Sequence, residues 1–333
     1  MSEINTDDLV VKSNELIEGH YRLSAASQKI AAALISKVDP RGKGPLPEFQ
    51  FSIPEYAKFF GLTESVAYRM INKTTLELKK ITITLRKRNS MDFLHAGLFS
   101  YCHYSEKDRV VGFKFEPLME AHIRDFAQNF TQYQVKQIRN IKSGHAIRLY
   151  ELLRKSHPMS ANNGQSFLTV DLDELKRILG IDPKHYSRFF DFKKTILIHS
   201  QDEMKEKTDL CFDFEAIRVG RKVGKIKFAI KHNRSFKGVV ESHDVTPLEL
   251  TLEDQLKAYF PNNILTLVQN EFDNDRIERN LKYVQEQQAM GSVEINHPGK
   301  YLLKAIKDDY AKPPESKSTI DRLLDTSWDI DGD

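Results

Sequence analysis

The chain has 333 residues, 40% of them apolar and 29% charged, with a formal net charge of +3. That length allows two or three domains with cores of their own, and the balance suits a soluble, helix-leaning protein and excludes a wholly disordered one. Cys102 and Cys211 are too far apart to form a zinc motif or a disulfide framework, the acidic start at residues 1–8 lacks the apolar run of a signal peptide, and the apolar run 30–35 is too short to span a bilayer.

In chain order, Leu23, Ile30, Ala33, Leu34 and Val38 keep helical spacing over residues 24–39, and the Pro- and Gly-rich stretch 40–45 ends that helix. Phe49-Gln50-Phe51 alternates like a short strand. Ser52-Ile53-Pro54-Glu55 then supplies an N-cap and a capping-box Glu, and Gly61 supplies the stop. A second helix is predicted from Leu62 to about Lys80, which completes a helix-turn-helix whose second member enters a major groove. Tyr68, Arg69 and Lys73 lie on it. Alternating segments at 81–85, 93–104 and 110–115 read as antiparallel strands, so a winged helix is expected, with Arg86, Lys87 and Arg88 at the start of its wing.

The same order returns at an offset of 119 residues, with Ser24 falling on Ser143 and Gly61 on Gly180. Ile138, Ile141, Ile147, Leu149, Leu152 and Leu153 supply the apolar face, residues 167–170 the strand, and Asp171-Leu172-Asp173-Glu174 a second capping box. A long helix is predicted from about His185 to Lys207, just past Lys184, with Phe189, Phe192, Ile196 and His199 facing inward. On that phase Lys194 and Ser187 point outward and Arg188 sits nearer the core edge. Strands at 210–217 and 225–230 close the copy, joined by the turn 218–224, with Arg221 and Lys222 in the turn and Lys225 opening the second strand. From Arg218 to Lys237 there are eight Lys or Arg and no Asp or Glu, which reads as a phosphate footprint. Two small basic modules in tandem suit a two-part ligand such as duplex DNA.

The stretch 10–17, Thr131-Gln132-Tyr133-Gln134-Val135-Lys136, Ile147-Arg148-Leu149-Tyr150-Glu151-Leu152-Leu153, Asp191-Phe192-Lys193-Lys194 and Gly220-Arg221-Lys222-Val223 together resemble the replication initiators of iteron-containing bacterial plasmids. The resemblance covers roughly residues 8–235. It implies a tandem winged-helix protein that binds direct repeats at an origin as a monomer, helps melt the adjacent duplex and brings in the host helicase and initiator. A dimer joined through the first domain would repress at an inverted repeat in an operator. It also implies that Arg188 and Lys194 read bases, although Lys193 and Lys194 stand where the family often has arginine, and lysine cannot fork onto guanine.

Beyond residue 233, short amphipathic helices are predicted at 256–260, 264–272, 277–286 and 301–306, followed by a linker and an acidic tail. The expected fold class is therefore α+β: two winged-helix domains at 9–127 and 128–238 after a flexible 1–8, a small all-α domain at 239–312, and a tail at 313–333. The run Gly220–Lys225 is no phosphate loop, because its glycines are one residue too close, Ile226 replaces Ser/Thr and a strand follows. Neither a His-x-His site nor a nucleophile elbow is present, so a cytoplasmic, non-enzymatic DNA-binding protein without cofactor, metal or membrane partner is expected. A tandem winged-helix transcription regulator and a strand-nicking initiator are the alternatives.

Overall fold

The computed structural model describes residues 5–86, 91–124, 130–159, 164–182, 184–236, 251–257, 259–290 and 297–312. The chain forms two compact units, residues 1–249 and 250–333. In the first unit β1 (Leu9–Ser13) and α1 (Asn14–Glu18) precede α2 (Ala25–Ile35), which is capped by the Ser24 side chain and buries Ile30, Leu34 and Ile35. This helix stops at Ile35, one turn before the predicted end. Next come β2 (Phe49–Ser52), α3 (Ile53–Phe60) and α4 (Glu64–Lys80). The capping box at Ser52 and Glu55 is formed in both directions, and Gly61 closes α3 at φ 66°, where an L side chain would be strained.

Past α4 the chain makes β3 (Ile83–Arg86), β4 (Phe93–Ala96), β5 (Phe99–Ser105) and β6 (Val110–Phe115). The strands do not form one wing. β2, β6 and β5 make a three-stranded sheet, in that order, whereas β3 and β4 form a separate two-stranded ribbon, with Thr84 of β3 also bridging His20. The wing beside α3 and α4 is thus the β5–β6 hairpin, with the mixed-charge tip Glu106-Lys107-Asp108-Arg109. Arg86 lies instead on the separate β3–β4 ribbon, which corrects the expected start of the wing. Period-two alternation identifies strands but not their partners.

After α5 (Glu120–Ile123), β7 (Phe130–Gln134) returns to pair antiparallel with β1. The second copy then follows: α6 (Lys136–Arg139), α7 (Gly144–Ser156), β8 (Gln165–Asp171), α8 (Leu172–Ile178), a helical run over 189–207, β9 (Leu210–Val219) and β10 (Lys222–His232). Its sheet order, β8-β10-β9, matches β2-β6-β5 of the first copy. The second capping box is not formed: Asp171 makes no side-chain cap, and Glu174 instead accepts from Arg177 at 2.7 Å.

The helical run 189–207 departs from expectation twice. It begins at Phe189 and not at His185, because Tyr186 adopts a left-handed φ of 56° and Arg188 is extended as the N-cap. It consists of α9 (Phe189–Phe192), a π-helical turn (Lys193–Ile198) and α10 (His199–Lys207). A π turn holds one extra residue, so every later position rotates. His199 is exposed, and Ser200 takes the inward place predicted for it.

The two copies share one core and a buried polar hub. Arg148 on α7, only 1% exposed, donates to the carbonyls of Ile17 (2.8 Å) and Gly19 (2.7 Å) in the first copy and of Ile178 (3.1 Å) in the second. Its guanidinium also lies 3.9 Å from the centre of the Tyr21 ring and pairs with Glu151 at 3.1 Å. Lys12 and Tyr133 each donate to Glu151 at 2.6 Å. Burial would raise the Glu151 carboxyl, but Lys12 and Arg148 hold it below its ordinary range. Arg148 and Glu151 are therefore each met from both halves, and Lys12 crosses from the first copy to Glu151 in the second, as burial demands.

The second unit contains α11 (Leu252–Leu256), α12 (Asn262–Glu271), α13 (Asn274–Met290) and α14 (Pro298–Asp308) around Leu256, Leu265, Ile277, Leu281 and Ile306. The helices predicted at 264–272, 277–286 and 301–306 are present with shifted ends, whereas the one expected at 256–260 lies earlier, at Leu252–Leu256, and shares only Leu256 with it. The acidic tail at 313–333 lies outside the described residues.

Candidate nucleic-acid interface

Each copy sets an outward helix beside its hairpin, and each helix is held by the same device. Glu77 near the end of α4 accepts the backbone N–H of Ser24 at 2.6 Å, and Glu203 on α10 accepts those of Lys142 (2.5 Å) and Ser143 (3.1 Å). Both carboxylates cap the first helix of their own copy, where the helix dipole favours negative charge. Burial raises both pKa values, but the donated hydrogen bonds outweigh it and leave each below its ordinary range. Counted from the first helical residue, Glu77 is fourteenth and Glu203 fifteenth, and the π turn accounts for the extra residue. Sequence reading missed this pair because the turn after the glycine is longer in the second copy, so the offset of 119 fails beyond Gly180.

On α4 the positions Ala67, Ile71, Thr74 and Leu78 are buried, which turns Arg69, Asn72, Lys73, Leu76 and Lys80 outward. Tyr68 is exposed but packs edge-on against Tyr104 of the wing at 5.3 Å, so it also steadies the hairpin. Lys73, Leu76 and Lys80 line a cleft shared with Arg22, His145 and Leu179, which places them between the copies. Arg86 is exposed on its ribbon, away from the wing proper. Lys87 and Arg88 lie outside the described residues.

In the second copy Lys184 and Ser187 are exposed but sit in the turn before the helix, not on it. Arg188 is not at the core edge: its side chain is 76% exposed and donates to Asp191 at 2.8 and 3.1 Å. Lys193, Lys194 and Thr195 are all exposed, three residues in a row, because the π turn widens the outward face. Lys193 leans over the Phe214 ring at 5.9 Å, leaving Lys194 the more outward cation. Arg69 and Lys194 hold the same place, sixth in their helices.

The basic hairpin is less uniform in space than in sequence. Lys227 lies opposite Glu215 across the sheet and Lys225 is 3.8 Å from Asp171, so acidic neighbours from β9 and β8 offset both. Positive charge is concentrated at the tip, where Arg218, Arg221 and Lys222 are exposed around Gly220 at φ 63°. A β-bulge between Val223 and Lys225 ends the regular ladder beneath it.

Paired helix-turn-helix units, each with a three-stranded sheet and its hairpin, define a tandem winged-helix protein. Residues 9–154 match the family model of the initiator replication protein WH1 domain, and residues 171–230 that of the initiator Rep protein WH2 domain. These matches take in more than half of the chain, which belongs to the plasmid replication initiator family. A replication initiation protein from Escherichia coli is 22% identical over 192 residues, an alignment spanning 56% of this chain and 57% of that relative. The chain thus matches little more than half of the relative's length. A crystal structure of the Pi initiator protein in complex with iteron DNA superposes with a TM-score of 0.57 at 21% identity, covering 69% of this chain and all of that one. The family and the fold expected from the sequence are both borne out.

Proposed function

We propose that this chain starts replication of a plasmid by binding iterons, short direct repeats in the origin, as a monomer with α4 and the run 189–207 in successive major grooves of one repeat. The observation that carries the reading is the matched pair of outward helices, Arg69 and Lys194 at the same helical place, joined through a buried hub that holds the copies together. The tips of the two wings then lie along phosphates, where Arg221 and Lys222 supply charge. Contact energy gained on the repeat offsets bending or unstacking of the neighbouring duplex, which costs a few kcal/mol. No covalent step is required, and we read the protein as a DNA-binding protein and not as an enzyme. A host helicase and a host initiator are the partners expected at the opened origin, and a dimer through the first domain would act as repressor on the operator's inverted repeat.

Titration of the full chain against the repeats of its own replicon tests the reading. Preference for the native repeat over a scrambled duplex, at moderate salt, is the expected result; equal affinity for both would overturn it. Direct repeats beside an AT-rich stretch favour an origin, whereas their absence favours a transcription regulator. A covalent adduct on supercoiled origin DNA with a divalent cation would instead make it a nicking initiator.

A further inference from the structure

Two phenylalanines open the helical run 189–207, and only one of them belongs to the core. Phe189 is partly buried, its ring 6.4 Å from that of the buried Phe192, while Phe190 is 67% exposed. Single exposed apolar side chains are ordinary on a protein surface, so it is the place of Phe190, at the start of the outward helix of the second copy, that gives its exposure meaning. The neighbours of Phe190 are cations: Arg188 precedes it, and Lys193 and Lys194 follow one turn later on the exposed side. Arg188 is engaged with Asp191 by two hydrogen bonds and Lys193 leans over the Phe214 ring, so the groups left facing outward at this end of the helix are the Phe190 ring and the Lys194 ammonium. Residues at the N-terminal end of a recognition helix are those that reach base edges.

We propose that Phe190 reads the 5-methyl group of a thymine in the second half of the repeat, beside the base pair that Lys194 addresses. This rests on the proposed function, since it supposes that the helix enters a major groove. The thymine methyl is the apolar group on the major-groove edge of the four base pairs, and an aromatic side chain without donor or acceptor cannot satisfy the polar edges of the other bases. Lysine attracts guanine O6 and N7 but has no preference among apolar contacts. Phe190 therefore adds a discrimination that the lysines of this chain lack, and it does so where arginine forks are missing.

The test is a titration of the full chain and of Phe190→Ala on the native repeat, with each thymine in turn replaced by deoxyuridine, which removes the methyl group and leaves pairing intact. The expected result is one position in the second half where the substitution weakens the natural protein roughly fourfold, the worth of one methyl group, and leaves Phe190→Ala unaffected. Phe190→Leu is expected to keep part of the preference. If the natural protein prefers the repeat but no deoxyuridine position responds differently in Phe190→Ala, this inference alone fails. If the natural protein does not distinguish the repeat from scrambled duplex, the iteron reading fails and this inference with it.

Discussion

Lys194 and Lys222 are both exposed lysines, yet their settings assign them different work. Lys194 stands on the outward face of a helix, where it can reach a base edge; Lys222 sits at the tip of a hairpin, where only backbone phosphate is within reach. Lys194→Ala is expected to cost about 1–3 kcal/mol on the native repeat and to relax preference at one base pair, whereas Lys222→Ala should weaken every duplex alike and lower the salt slope by about 0.9. Titrations on native and random duplexes at several salt concentrations separate the two. A pH dependence also follows at this scale. His145 lies in the cleft between the copies with Nδ1 3.0 Å from the Leu179 carbonyl. Burial lowers its pKa below 6.5; the hydrogen bond opposes this and Arg22 adds to it. His122 and His157 are lowered as well, again chiefly by burial. For a base whose folded pKa is depressed, the unfolded chain takes the proton first. Stability is therefore full above pH 6.5 and declines as pH falls from there towards the folded values. Denaturant unfolding near pH 7.5 and near pH 5.5 should show that loss, and His145→Gln should flatten part of it.

At the scale of elements, the paired glycines offer an internal control. Gly61 and Gly180 both close the first helix of a helix-turn-helix with left-handed φ, 66° and 67°. A Cβ at Gly61 would meet nothing within 4 Å, but at Gly180 it would lie 2.3 Å from the carbonyl oxygen of Tyr21. Gly61→Ala should therefore cost only the strain of the left-handed backbone, about 1–2 kcal/mol. Gly180→Ala must in addition push apart the two copies, and its loss in thermal unfolding should be clearly larger. Equal losses would show that the contact with Tyr21 is loose. The glycines themselves were legible, since helix stops have a local cause. What the second glycine touches was not, because Tyr21 lies far away in sequence. The start of the run 189–207 was misplaced for a related reason: hydrophobic phase continues smoothly through 185–188, and only the left-handed Tyr186 interrupts the helix.

For the whole molecule, the question is how firmly the two copies are tied. Arg148 is held by carbonyls from both and by Glu151, and removing its guanidinium strands a buried carboxylate with Lys12 as its remaining cation. Arg148→Ala should destabilise the first unit by about 3–5 kcal/mol, measured by denaturant unfolding. The tie also has a consequence on DNA. Inserting five base pairs between the halves of a repeat turns one major groove half a helical turn away from the other. Because the copies share one core, binding should fall to that of a single domain; undiminished binding would mean that the copies move independently.

Local sequence was enough for elements whose causes are local: the caps at Ser24 and Ser52, the glycine stops, the alternating strands, the internal repeat and three of the small helices at the end. It also carried the family, since the blocks at 147–153 and 191–194 are contiguous. Which strands form the wings, that Arg86 lies off the wing of its copy and that Arg188 is outward became visible with the folded chain. It alone showed acidic strands offsetting Lys225 and Lys227, and the block around Arg148 serving as an interdomain hub. Each of these depends on contacts between residues distant in the chain, and such pairings follow from how packed layers meet, which no local pattern specifies.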